Sequence, residues 1–317
     1  MTEAIEPDAT GIAPPLGEGT RRDAAVSRPA IGTVTVIVPA YNEKGIAGQV
    51  LDDLVRIMDG SGYNYEIIFV DDGSEDETWR EAQQRGVKLI RHRTNRGYGA
   101  SLKTGIRAAE GDVIVITDAD ATYPNDRIPE LLSYMDRCQM VVGARTGQHV
   151  EIPLLRRPAK WLLTRLANYL AETEIPDLNS GLRAFRKDVA RRFLPILPSR
   201  FSFTTTITLA FLTNDYAVEY VPIDYYSRRG RSKIRPIHDT LYFLLLILRT
   251  VTSFNPLRVF LPLSFAMWLI GGIDAGWHLY FEGGFSDSSV LILTGSLQVG
   301  AFGFLADLVI RNRALKE

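Results

Sequence analysis

Two carboxylates separated by one residue, Asp118 and Asp120 in the stretch "VIVITDADATYP" (113–124), close a run that otherwise carries no charge. Val113 to Thr117 is β-branched throughout and reads as a buried strand. In extended chain, residues i and i+2 face the same side, about 6–7 Å apart. Two ionised acids held that close repel one another, and one tends to take up a proton. A divalent cation removes the conflict, and an oxygen donor set suits Mg²⁺ or Mn²⁺. Such an ion keeps positions for water and phosphate oxygens, so the pair could hold a diphosphate and neutralise charge growing on it as a leaving group. An exposed turn in which Asp118 caps the next segment accounts equally well for the two acids taken alone.

The elements that must position these acids are legible between Thr33 and Val221. Strand-like runs at Val34–Pro39, Tyr65–Val70, Val87–Arg91, Val113–Thr117 and Met140–Gly143 alternate with helical segments at Lys44–Met58, Asp76–Arg85, Tyr98–Ala109 and Asp126–Asp136. This alternation predicts an α/β domain, a largely parallel sheet with helices on both faces. Such sheets bind ligands beyond the carboxyl ends of their strands. Four unusual loops fall at that edge: "VPAYNE" (38–43), "VDDGSEDET" (70–78), "RTNRGYGAS" (93–101) and the Asp118–Asp120 segment. Each has a plain explanation alone: Asn42 or Ser74 as a helix cap, Asp-Gly as a turn, glycines as loop punctuation. Gly97 and Gly99 also suit a loop packed tightly against a ligand or a helix start. Together, the four loops favour a metal and diphosphate site.

The totals exclude several classes. With a formal net charge of -1 over 317 residues the chain is neither basic nor acidic, and no nucleic-acid partner is expected. A single cysteine, Cys138, rules out a disulfide framework or a cysteine-rich zinc site, and the four histidines (His92, His149, His238, His278) lack metal-ligand spacing. Residues 1–32 are rich in Pro, Gly, Ala and charge, have no apolar run, and read as a disordered tail rather than a signal peptide. The domain after this tail is therefore expected in the cytoplasm.

The C-terminal part is different in kind. Residues 257–281 and 289–310 are each long and apolar enough to cross a bilayer, which takes about 20 residues. Arg249 precedes the pair and Arg258 stands at its start, and Arg311, Arg313 and Lys316 come after it. The positive-inside rule then places both ends in the cytoplasm and the short loop "EGGFSDS" outside. Asp307 can reach the interface, whereas Asp274 needs a partner on another helix or on another subunit of a homo-oligomer. Upstream, the apolar run within residues 238–254 is too short to span and fits an interfacial helix or, equally, a core helix of the soluble domain.

The motifs "VIVPAYNE", "VDDGSEDET", "NRGYGASLKTGI" and "DADATYP", with "DLNSGLRAFRKD" (177–188) and "RRGRSKI" (228–234), resemble in order and spacing the family 2 glycosyltransferases of GT-A fold. More closely, they are similar to the polyprenyl-phosphate sugar synthases, the group of dolichol-phosphate mannose synthase and the undecaprenyl-phosphate glucosyl or aminosugar transferases. The resemblance covers about residues 33–237 and implies a nucleotide-sugar donor and a polyprenyl phosphate acceptor at a membrane. It implies that Pro39, Tyr41, Glu43 and Val70 line the nucleotide pocket, that Asp72 reads the base or ribose, and that Ala119 lies against the nucleotide. Asp118 and Asp120 match the metal-binding acids. Where some members carry a third, amide-bearing ligand this chain has Thr122, so Thr122 or water completes the metal site. Arg228 or Arg229 and Lys233 match phosphate contacts in a loop closing over the donor, while Arg231 and Arg235 add to the same cationic run. Arg145 and Arg157 are further phosphate-binding candidates, and Arg157 could equally be a solvated charge. Asp177, Asn179 and Ser180 would orient sugar or acceptor.

The chemistry this implies is one in-line displacement at the anomeric carbon, with inversion. A lipid phosphate is already ionised near neutral pH, so positioning and charge stabilisation matter more than a base. A processive polysaccharide synthase would carry a Gln-x-x-Arg-Trp motif, which is missing here. Transfer to a polysaccharide or protein acceptor and a non-catalytic membrane-tethered scaffold are the remaining alternatives.

Overall fold

The computed structural model describes residues 31–146, 165, 168–169, 172–199, 202–226, 252 and 255–314. Its sheet is built on Thr33–Ala40 (β1), whose alternation sends Val34, Val36 and Val38 to one face and Ile37 to the other, all fully buried. Asn64–Asp71 (β2), Lys88–Arg91 (β3), Val113–Ile116 (β4), Met140–Ala144 (β5), Arg183–Arg186 (β6) and Val218–Pro222 (β7) complete it in the order β3-β2-β1-β4-β6-β5-β7. β1 pairs in parallel with β2 and β4, β2 with β3, and β5 with β7. β6 alone runs antiparallel, to β4 on one side and β5 on the other.

Helices cover both faces, as the α/β alternation predicts. Ala47–Asp59 (α1) and Ile128–Ser133 (α4) pack Leu51, Leu54, Leu131 and Leu132 on the face of Val34 and Val36. Tyr98–Ala108 (α3), Lys187–Phe193 (α5) and Phe203–Leu212 (α6) pack Leu102, Ile106, Phe193, Ile207 and Phe211 on the face of Ile37. Thr78–Gln84 (α2) closes the edge beside α1 and β3. α1 begins three residues later than the expected Lys44, because Gly45 takes a φ of +85° and only the N–H groups of Ile46 and Ala47 reach back to the Glu43 carbonyl. The helix expected at 126–136 is a short 3₁₀ turn, Asn125–Arg127, leading into α4.

β6, β7, α5 and α6 are additions to the elements predicted from the sequence. β6 holds four residues with arginine at both ends, and both Arg183 and Arg186 are buried. Charged residues ordinarily mark exposed chain, so the pattern hides this strand. Fully buried Arg183 is satisfied by carbonyls and a hydroxyl: Ser180 O, Thr204 O and Thr208 Oγ1.

Beyond the sheet, Leu257–Glu282 (α7) and Asp287–Ala314 (α8) pack on one another as a hairpin. Both are long and apolar enough to cross a membrane, and they leave most of their large side chains uncovered, with Tyr280 83% and Leu297 75% exposed. A core helix of a soluble domain would bury such residues. Asp274 finds its partner within the hairpin, accepting hydrogen bonds from Ser289 Oγ (2.7 Å) and Ser288 Oγ (2.9 Å) on the first turn of α8. At the foot of α7, Arg258 forms an ion pair with Glu172. Apart from residue 252, the expected interfacial helix at 238–254 lies outside the described residues.

Candidate active site

The carboxyl ends of β1, β2 and β3 give rise to three loops that hydrogen-bond to one another. Ser74 Oγ accepts the Asn42 N–H at 3.0 Å, Asn42 Oδ1 accepts the Glu75 N–H at 2.9 Å, and Thr78 Oγ1 accepts the Glu43 N–H at 2.9 Å. Pro39 and Val70 are buried in the strand ends beneath, while Tyr41 and Glu43 stay partly exposed at the rim. Asp72 is 3% exposed and faces inward. His92 Nδ1 (2.7 Å) and the Arg96 N–H (3.0 Å) meet its Oδ1, and the Gly97 N–H (2.8 Å) meets its Oδ2. Asp72, the residue expected to read base or ribose, also holds the 92–97 loop in place. The same contacts make His92 structural, with its Nε2 3.0 Å from Thr104 Oγ1.

β4 ends at Ile116, one residue before the expected Thr117, and Ala119 and Asp120 lie in a turn closed by Ala121 at a φ of +57°. The acids are thus presented by a turn rather than by the alternation of an extended strand. Both are half-buried and each is held through Oδ1. Tyr98, the first residue of α3, donates its hydroxyl to Asp118 Oδ1 at 3.0 Å. Asp120 Oδ1 accepts from the Thr122 hydroxyl at 2.7 Å and the Thr122 N–H at 3.2 Å. Burial, then the adjacent Asp118 charge, holds the Tyr98 hydroxyl well above its ordinary pKa, so it remains a donor. Thr122, the candidate third ligand, is 1% exposed and directs its hydroxyl at Asp120. It orients the Asp120 carboxylate.

Across from the acids, the segment before β6 carries Asp177. Arg145, just past β5, grips it twice, Nε to Oδ2 at 2.7 Å and Nη2 to Oδ1 at 2.9 Å, and adds its own N–H to Oδ2 at 3.0 Å. Burial alone would raise the Asp177 pKa, but Arg145 and the Asn179 N–H outweigh it and hold the carboxyl below its usual range. The Arg145 guanidinium lies 5.2 Å from the Tyr225 ring centroid, and Tyr225 meets Tyr123 edge-on at 5.3 Å. Tyr123 Oη accepts the Gly181 N–H at 2.7 Å. Asn179 is exposed and bonded to Thr205, and Ser180 is fully buried.

Residues 35–194, which carry the acids, Tyr98, Arg145, Asp177 and Gly181, match the family model described as glycosyl transferase family 2. The chain belongs to glycosyl transferase family 2. Residues 255–311 match the GtrB C-terminal hairpin. Among curated relatives, a dolichyl-phosphate hexose transferase of Haloferax volcanii is 32% identical over 205 residues, 64% of this chain and 87% of its own. An undecaprenyl-phosphate 4-deoxy-4-formamido-L-arabinose transferase of Edwardsiella ictaluri is 29% identical over 302 residues, 88% and 89% of the two chains. Among solved structures, glucosyl-3-phosphoglycerate synthase of Mycobacterium tuberculosis, crystallised with Mn²⁺, UDP-glucose and phosphoglyceric acid, shares the fold at TM-score 0.56. It is 22% identical and covers 69% of this chain and 80% of its own. The family 2 domain is thus of GT-A fold, a mostly parallel sheet followed by two apolar helices in a hairpin.

In this family 2 transferase the metal question rests on two acids. Among the described residues no group of three or more His, Cys, Asp and Glu gathers around one point. Asp118 and Asp120 offer an all-oxygen pair, part-exposed at a strand end and fixed in orientation, and a carboxylate has about four acceptor sites, so the bonds at Oδ1 do not exhaust either acid. That donor set fits a hard cation that keeps several water or phosphate ligands. Arg157, Arg228, Arg229, Lys233, Arg231 and Arg235 lie outside the described residues. Sequence reasoning missed Tyr98 and Gly181. Gly181 packs so closely that a Cβ would stand 3.1 Å from Asp118 Oδ2 and 3.0 Å from the Tyr123 ring. The only trace of either in the sequence is its place inside a motif.

Proposed function

We infer that this family 2 transferase moves a hexose from a nucleoside-diphosphate sugar of the GDP-mannose or UDP-glucose kind to a polyprenyl phosphate, dolichyl or undecaprenyl, with inversion. One observation carries the reading: a family 2 domain with its acid pair continues, in the same chain, into a GtrB-type hairpin of two apolar helices. Curated relatives spanning nearly nine-tenths of their own length are named for dolichyl and undecaprenyl phosphate.

On this reading the chain divides into a tail (1–32), a catalytic domain (33–237), an interfacial segment (238–256) and two membrane-spanning helices with a short tail (257–317). The arginines and lysine flanking the hairpin put the catalytic domain on the cytoplasmic face of a cell membrane. Pro39, Tyr41, Glu43, Val70 and Ala119 line the nucleotide. Asp118 and Asp120 hold Mg²⁺ or Mn²⁺, which would offset the charge of the departing diphosphate. Arg145 is kept rigid by Asp177, and its guanidinium serves the acceptor phosphate alongside Arg157, Arg228, Arg229 and Lys233. A preset guanidinium stabilises an incoming anion without reorganising at the moment of reaction. The acceptor oxygen then attacks the anomeric carbon as the bond to the diphosphate breaks.

The test is to incubate full-length protein in membranes with labelled GDP-mannose or UDP-glucose and polyprenyl phosphate, then weigh the lipid product. Labelled lipid lost in excess chelator is the expected result. Label found only in water-soluble product would overturn the lipid acceptor, and full activity in excess chelator would overturn the metal.

A further inference from the structure

We propose that Tyr98 is a positioning residue for the metal-binding acid Asp118, clamping it through one oxygen while the backbone at Gly181 closes on the other. The inference rests on the reading of Asp118 and Asp120 as metal ligands and goes beyond it.

The geometry is two-sided. The Tyr98 hydroxyl donates to Asp118 Oδ1 at 3.0 Å, and a Cβ on Gly181 would stand 3.1 Å from Oδ2. Neither contact comes from the turn that carries the acid: Tyr98 opens α3, and Gly181 precedes β6. Each is itself pinned. Gly97, the N-cap of α3, has a φ of +98°, where only glycine rests without strain, and its N–H is bound by Asp72 Oδ2 at 2.8 Å. Asp72 in turn meets His92 at 2.7 Å, so a chain of contacts runs His92–Asp72–Gly97–Tyr98–Asp118 across three strand ends. On the other side Gly181 N–H donates to Tyr123 Oη at 2.7 Å, and buried Arg183 grips the preceding Ser180 carbonyl through Nε at 3.0 Å and through Nη2.

A clamp of this kind has a specific consequence. A carboxylate on a short turn is free to rotate about its last bond, and ordering it when an ion arrives costs entropy. A hydroxyl already donating to Oδ1 sets that rotation before the ion binds. Groups that orient a metal ligand in this way are worth about 10–100-fold in metal affinity. Tyr98→Phe keeps the ring and removes the hydroxyl that donates to Asp118.

The experiment uses full-length protein purified in detergent, with Mn²⁺ titrated alone and with UDP or GDP, and free Mn²⁺ read from its paramagnetic resonance signal without turnover. Tyr98→Phe is expected to weaken Mn²⁺ about tenfold or more with a melting temperature close to wild type, while Asp120→Asn removes the binding. Gly181→Ala pushes the same carboxylate from the opposite side and is expected to weaken Mn²⁺ too, which keeps the test alive should Tyr98→Phe fold poorly. Wild-type affinity in both variants would overturn the clamp and leave the metal reading standing. A wild-type protein that retains no Mn²⁺ with either nucleotide would overturn the metal reading and the clamp with it.

Discussion

Two acid pairs sit at the ends of the strands that flank β1, Asp71 and Asp72 at the end of β2 and Asp118 and Asp120 after β4, and the fold surrounds them differently. Asp71 and Asp72 are 0% and 3% exposed. Protein donors meet all four of their oxygens: the Ser74 N–H and Arg91 Nε on Asp71, and His92 with the Arg96 and Gly97 N–H groups on Asp72. Asp118 and Asp120 are half-exposed and are each steadied at Oδ1. A buried carboxylate must be satisfied by the protein or it destabilises the fold. One left partly open costs little and can serve a ligand. The same residue type at the same sheet edge is therefore buried among protein donors in one loop and left part-exposed in the next.

The sharpest way to break this contrast is to exchange charge for amide on the open pair. Asp120→Asn keeps the oxygen that Thr122 meets, so folding stability should stay within about 0.5 kcal/mol of wild type. Turnover should fall roughly a thousandfold, since metal-held charge is worth several kcal/mol. Radiolabel transfer beside a thermal melt checks both halves. Comparable loss of stability and of activity would place Asp120 with the structural acids.

Asp72→Ala should behave in reverse. It strands the Arg96 and Gly97 N–H groups and His92, a loss of about 3 kcal/mol, or roughly 6–12 °C in melting temperature. An unchanged melt would mean that this loop is held by something other than Asp72.

A third acid, Asp177, extends the comparison to pH. Arg145 and two backbone N–H groups hold its folded pKa below the unfolded value. Its stabilisation is therefore present above about pH 4 and is lost as pH falls further, through the folded pKa. The stability gap between wild type and Asp177→Asn, about 2 kcal/mol near neutrality, should close on acidification, as thermal melts across pH would record. A gap that widens at low pH would reverse the assigned sign.

The smallest expected effect belongs to Thr122→Val. It keeps the shape and deletes the hydroxyl donated to Asp120, costing about 1 kcal/mol of stability. Mn²⁺ affinity should fall by less than in Asp120→Asn. Complete loss of the ion would instead make Thr122 a ligand.

Much of the frame was legible because it depends on short-range pattern. β-branched runs such as Val113–Ile116 and β1 declare themselves by composition, and the parallel order follows from helices intervening between them. The hairpin was equally plain, since a bilayer demands an unbroken apolar length. β6 was hidden because buried Arg183 and Arg186 imitate a surface segment, and only Ser180, Thr204, Thr208 and Met135, most of them distant in sequence, supply the acceptors that let them be buried. α6 was hidden for a related reason. Its threonines Thr206 and Thr208 satisfy their hydroxyls on carbonyls one turn back, so a polar-looking stretch sits fully inside.

The amino-acid order alone determined which residues stand at the carboxyl edge, because strand ends follow from local pattern and chain direction. It also determined that two long apolar segments come after the domain. Only the tertiary structure decided which acids are buried among protein donors and which stay part-exposed, that Arg145 is locked to Asp177, and that Tyr98 and Gly181 flank Asp118. Those outcomes depend on donors brought together from far along the chain, and the distance between such groups is a property of packing that no local pattern encodes.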